Sequence, residues 1–195
     1  MHMQTTPSPS QGTHFSVTLH IIMEVLFVLS HTTPSPLQGT LSRIILLMKM
    51  EELFFVRQST MNLTSNNLTA NLAHSIGGAV FSSNSNLNMH ESHILQNNHA
   101  QYGGGIAAVH CQIILSGDFR LENNEASLGG GLFLEMSNTS GYGYFSDNSA
   151  SEFGGGIYAS GSELYFKEHI IFDRNSAQNG GGLLLTEGSK LFLQP

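Results

Sequence analysis

Phe145-Ser146-Asp147-Asn148-Ser149-Ala150-Ser151-Glu152-Phe153-Gly154-Gly155-Gly156-Ile157 is the stretch whose reading decides the fold, because it recurs in recognisable form five times. Its bulky apolar residue falls at Leu68, Leu95, Leu121, Phe145 and Phe172. Three residues on stands Asn71, Asn98, Asn124, Asn148 or Asn175, and two further Ala73, Ala100, Ala126, Ala150 or Ala177. Glycine runs then open at Gly77, Gly103, Gly129, Gly154 and Gly180, each leading to a branched residue at Val80, Ile106, Leu132, Ile157 or Leu183. The copies lie roughly 24 to 27 residues apart. Such a period marks stacked supersecondary units rather than one compact core.

Between glycine runs the chain shows short alternating apolar stretches separated by Ser, Gly, Asn and Asp, the pattern of brief strands and turns. A unit of two or three such strands cannot bury its apolar face alone, so it must stack on its neighbours. The expected fold is all-β, a right-handed parallel β-helix of about five coils, rising ~4.8 Å per coil. Alternation by two then places Val80, Ile106, Leu132, Ile157 and Leu183 inside, with Ala108, Leu134, Ala159 and Leu185 two residues on. An Asn at one corner of every coil can bond its amide to the Asn above and below. Glycine after that corner supplies positive φ and leaves no Cβ between approaching coils. Residues repeated in every coil serve each coil alike, so the Asn and Gly columns are read as a structural ladder.

Gly-Gly-Ala-Val at Gly77 to Val80, its Gly-Gly-Gly-Ile and Gly-Gly-Gly-Leu counterparts, and Phe-x-x-Asn at Phe145 to Asn148 and Phe172 to Asn175 resemble the polymorphic outer membrane protein repeat. The resemblance covers about residues 63 to 195. Here the aromatic position is Leu in three of five copies, and four glycine runs have Gly where the family more often has Ala. The resemblance implies a surface-exposed β-helix of the kind found in adhesive autotransporter passengers, which a membrane β-barrel follows in the bacterial members. Membrane attachment would then come only through regions outside this sequence.

The composition narrows the function. Charged residues make up 11% and the net charge is −7, with only seven Lys and Arg, which disfavours a nucleic-acid partner. Cys111 is the sole cysteine, so neither an intrachain disulfide nor a thiolate metal site is expected; it reads as a small residue beside the strand Gln112 to Leu115. Three Asn-x-Ser/Thr triplets begin at Asn62, Asn67 and Asn138, about the number chance supplies here.

Residues 1–60 read as a leader or linker with an N-terminal cap, and 61–195 as the β-helix repeats. Thr5 to Thr13 returns almost unchanged as Thr32 to Thr40, a Pro-Ser linker composition. Phe15 to Leu29 has the length of a signal-peptide apolar region, yet His20 and Glu24 interrupt it and no basic start precedes it. Leu41 to Leu53 has helical spacing, and a helix there would cover the open end of the solenoid. An unstructured leader is the competing reading. The last residues, Lys190 to Pro195, fall inside a coil, so a longer native protein and edge-to-edge self-association are expected.

Sites for chemistry are few. Glycoside hydrolysis needs two acids about 5 Å or 6.5 to 9.5 Å apart, and the only stacked pair is Glu122 and Asp173, two coils apart at ~9.6 Å. No cation is expected in their stack, so they read as solvated turn carboxylates. Asp147 with Arg174, and Glu163 with Lys190, fall in register to pair across one coil step. His90, His93, His99 and His110 read as solvent-facing imidazoles: odd spacing sends His90 and His93 to opposite faces, and no carboxylate column completes a metal site. No cofactor is expected. The middle strand is expected to be partly replaced by a loop over Met136 to Tyr144, where Tyr142 and Tyr144 could contact a glycan or protein. The sequence therefore points to a non-enzymatic extracellular or cell-surface scaffold that binds a protein or glycan. A pectin-cleaving or other carbohydrate-active β-helix enzyme using Glu122 and Asp173 is the alternative.

Overall fold

A strand of three to five residues is not stable without neighbours to pair with, and here each repeat sends one strand to each of three sheets. The computed structural model describes residues 27–29, 37–38, 54–58, 60–167 and 170–195, and the chain winds there as a parallel β-solenoid of about five turns. The described residues contain no helix. The first sheet holds Phe27–Leu29, Phe54–Arg57, Val80–Ser83, Ile106–Val109, Leu132–Glu135, Ile157–Ser160 and Leu183–Thr186. The second runs from Leu37–Gln38 through Thr60–Thr64, Asn86–His90, Gln112–Leu115, Asn138–Gly141 and Glu163–Lys167 to Lys190–Gln194. The third comprises Asn67–Thr69, His93–Gln96, Phe119–Glu122, Tyr144–Ser146 and Ile171–Asp173. Neighbouring strands run parallel, so Val80, Ile106, Leu132, Ile157 and Leu183 lie one above another. The expected helix over Leu41 to Leu53 lies outside the described residues. Phe27 to Leu29, the end of the first apolar stretch, forms a strand paired with Phe54 to Val56.

The bore is apolar on all three sides. Val80, Ile106, Leu132 and Ile157 from the first sheet, Leu87, Ile113 and Leu164 from the second, and Leu68, Leu95, Leu121 and Phe145 from the third are buried in one cluster. A second apolar layer lies outside the first sheet. Ala107 and Phe133 alternate with the inward residues, so they point away from the bore, yet both are buried. Phe133 packs against Tyr102 at 5.4 Å and stacks on Tyr158 at 5.5 Å, and Phe153 lies 6.4 Å from Tyr158. These rings cover the sheet's outer surface where Tyr102 and Phe153 fold back from the approach to the glycine run.

Each coil turns its corners through left-handed backbone. Glycine takes this conformation at Gly77, Gly103, Gly129, Gly154 and Gly180. At the corner after the third sheet it is instead Ala70, Asn97, Asn123, Asp147 and Arg174, with φ between 49° and 58°. A non-glycine residue held there costs about 1 kcal/mol, which coil-to-coil hydrogen bonds such as Ala70 N–H to Gln96 O offset. The second glycine of each run has a different reason: a Cβ on Gly104 would lie 2.5 Å from the carbonyl oxygen of Gly130 in the next coil.

The expected loop over Met136 to Tyr144 is corrected by the structure. Asn138–Gly141 is a regular strand, with Asn138 opposite Gln112 and Glu163. Backbone pairing on both edges holds it despite its polar composition. Thr139 consequently occupies the inward column between Ile113 and Leu164, and its buried Oγ1 has no hydrogen-bond partner. The coil shortens just afterwards: Leu115 pairs with Gly141 and Arg120 with Tyr144, so residues 116–119 face only Tyr142 and Gly143.

Two outcomes follow for stability, both measurable by urea unfolding. Thr139→Val keeps the side-chain volume and removes the orphaned hydroxyl, and should stabilise the protein by about 1 kcal/mol. Ala70→Gly, which relieves an exposed left-handed alanine, should also stabilise, by about 0.5 to 1 kcal/mol. The reverse change Gly103→Ala, where the new Cβ would sit 2.2 Å from the Ile106 carbonyl oxygen, should destabilise.

Candidate functional site

Because Leu68, Leu95, Leu121, Phe145 and Phe172 turn inward, their strand neighbours point to the outer side of the third sheet, where Ser146 alone among them is buried. In register these are Ile94, Arg120, Tyr144 and Ile171 in one column, and Thr69, Gln96, Glu122, Ser146 and Asp173 in the next. Arg120 bonds Asp118 at 3.0 Å and reaches Glu122 at 3.6 Å, while its guanidinium carbon lies 5.7 Å from the centre of the Tyr144 ring. Tyr144 Oη donates to Asp173 at 3.2 Å. Arg174 pairs with Asp173 and grips Asp147 through two nitrogens, at 2.7 and 2.8 Å. Seven residues from three successive coils thus form one continuous polar surface around an aromatic ring.

The electrostatics follow from these contacts. The Arg174 guanidinium holds the Asp147 carboxyl below its ordinary range, and Asp147 in turn raises Arg174. Its hydrogen bond to Asp173 raises the Tyr144 phenol. Glu122 and Asp173 occupy one column with Ser146 between them. Their own column holds no cation, as expected, but Arg120 and Arg174 from outside it engage one each. Side-chain columns do not reveal this, because Arg120 reaches Glu122 along its own strand and Arg174 belongs to the adjoining corner. Tyr142 is placed differently from Tyr144. Its Oη accepts the Gly117 N–H at 2.9 Å, which pins the ring over the preceding coil's corner.

Under this face runs the amide ladder. Asn124 Oδ1 accepts the backbone N–H of Asn98 at 3.0 Å and its Nδ2–H at 2.9 Å. Asn124 Nδ2 donates to Leu95 O at 2.9 Å and to Asn148 Oδ1 at 3.0 Å. Asn98 and Asn148 repeat this geometry one coil at a time, and Asn71 and Asn175 make part of it at the two ends. A second ladder at the corner after the first sheet uses hydroxyls: Ser137 N–H donates to Ser162 Oγ and Ser162 N–H to Ser189 Oγ. Cys111 stands in this serine column. Its N–H donates to Ser137 Oγ, and its thiol donates to Val109 O just as Ser137 Oγ donates to Glu135 O.

The histidines do not all face solvent. His93 is fully buried in the column of Asn66 and Phe119, correcting the sequence reading. His99 is exposed beside Glu125 at 3.6 Å. Among the described residues no three His, Cys, Asp or Glu side chains are grouped as a metal site would require.

Residues 142–160, which span Tyr144, the ladder residue Asn148 and the run Gly154 to Gly156, match the Chlamydia polymorphic membrane protein repeat. The match covers that one stretch of the 195-residue chain. No curated protein and no solved structure matches it. The repeat together with the parallel β-solenoid fits a surface repeat protein.

Asn124→Ala should cost about 3 kcal/mol in urea unfolding, since Asn98 loses its acceptor and Leu95 O its donor inside the wall. Asn71→Ala, which removes a less buried rung, should cost less.

Proposed function

We propose that this chain is a non-enzymatic, cell-surface solenoid that binds a protein or glycan partner through the outer face of its third sheet, centred on Tyr144. The supporting observation is the network joining Arg120, Tyr144, Asp173 and Arg174 across successive coils. A ring supported from both sides offers apolar contact area with little rotamer freedom left to lose, and the flanking arginines and carboxylates offer hydrogen-bonding groups at the rim. The engagement of Glu122 and Asp173 by arginines favours a recognition role over a catalytic one. Extracellular placement accords with the repeat's occurrence in surface proteins.

Binding is read out with an immobilised glycan array and with intact cultured cells as the two probes. Tyr144→Ala and Arg120→Ala should each weaken retention at least about tenfold, the loss of a single anchoring residue, while Asn88→Ala on the second sheet leaves it unchanged. Retention unaffected by both third-sheet variants would refute the assignment. Release of reducing sugar from pectin that disappears in Glu122→Ala or Asp173→Ala would establish the enzyme instead.

A further inference from the structure

The corner between the second and third sheets holds a buried titratable ring that the binding face does not use. The second-sheet strand ends at His90, Glu91 turns the chain through left-handed backbone, and His93 opens the third-sheet strand. The His93 side chain turns into the wall and is fully buried. Asn66 lies in register in one neighbouring coil and Phe119 in the other, with the Phe119 ring tilted at 6.3 Å. Nε2 lies 2.7 Å from the His90 carbonyl oxygen. That oxygen can only accept, so Nε2 carries the hydrogen. Nδ1 is then the unprotonated nitrogen, and it accepts the Asn66 N–H at 3.4 Å. In the neutral form each ring nitrogen has a partner of the matching kind.

We propose that His93 makes this corner acid-sensitive: a proton taken from solvent at Nδ1 turns an accepting contact with Asn66 N–H into a donor-to-donor conflict and loosens the coil at Asn66 and Ile94. The bonds exposed to the conflict are specific. Ile94 N–H donates to Asn66 O at 3.0 Å, and Asn66 Nδ2 donates to Thr64 O at 3.1 Å. The amide ladder at Asn71 and Asn98 lies on the far side of the third sheet and shares neither bond.

The surrounding charges are few. His90 is exposed, with Nδ1 at 2.8 Å from Ser116 Oγ, and Glu91 accepts the Ser65 hydroxyl at 2.6 Å. Asp118, from the next coil, accepts the His93 N–H through its backbone and is paired with Arg120 through its side chain. Burial is the largest influence on the ring and lowers its proton affinity. A charged His90 acts in the same direction as burial; the carbonyls of His90 and Leu63 and the charge of Glu91 act the other way and do not overcome it. A folded-state value below the unfolded one means that the stability is fully present above the ordinary histidine range, about 6.5, and declines as the pH falls below it.

Thermal midpoints of the wild type, His93→Gln and His90→Gln at pH 7.5 and 5.5 test this. Glutamine can donate to the His90 carbonyl and accept from Asn66 N–H without titrating. The wild-type midpoint should fall on acidification by about 2 °C or more beyond that of His93→Gln, with His90→Gln following the wild type. Parallel decline of the wild type and His93→Gln, or a response lost only in His90→Gln, would overturn the proposal. Should His93→Gln not fold, the imidazole titration of wild-type His93 by NMR decides: a midpoint at or above the ordinary value overturns it, and one below supports it.

Discussion

Every rung of this protein depends on finding its hydrogen-bond partners in the rung above and the rung below. Short strands with little apolar area cannot hold themselves together, and here their backbone groups and corner amides are paired vertically from coil to coil. The asparagine column shows how far this goes: Asn124 uses both amide hydrogens, and its oxygen accepts twice, inside a wall where an unpaired group would be costly. Once that vertical spacing is fixed, the interior follows, because equivalent residues from successive repeats must touch.

This dependence explains what could be read from the sequence. Columns repeated in register, such as Val80 to Leu183 inside and Asn71 to Asn175 at the corner, are visible because each coil imposes the same demand on the same position. Features belonging to one coil alone are not visible. Asn138 to Gly141 looks like a loop by composition, yet pairing on both edges makes it a strand. His93 looks like a surface histidine because spacing along one strand does not say which of its faces is walled in by Asn66 and Phe119. The left-handed column of Ala70, Asn97, Asn123, Asp147 and Arg174 has no shared chemistry, so only geometry reveals it. Cys111 is a member of a serine column, recognisable once the thiol is treated as a weak donor in place of a hydroxyl.

The candidate face on the third sheet was half legible. Tyr144, Glu122 and Asp173 stand out by type and position, and the Asp147 and Arg174 pair follows from register. Their union through Arg120 does not, since that contact combines two bonds along one strand with a ring in the next coil. The structure turns a set of separate turn residues into one surface, and the aromatic layer outside the first sheet shows that the other faces of the same solenoid are built differently.

A tandem array has a difficulty that ordinary domains lack: one section resembles the next, so a visiting molecule has no way to tell where along the shaft it has landed. The contraction at Tyr142 and Gly143, opposite residues 116–119, interrupts that sameness at the level of Tyr144. It sits beside Tyr144, and so supplies a landmark by which one rung among many could be singled out.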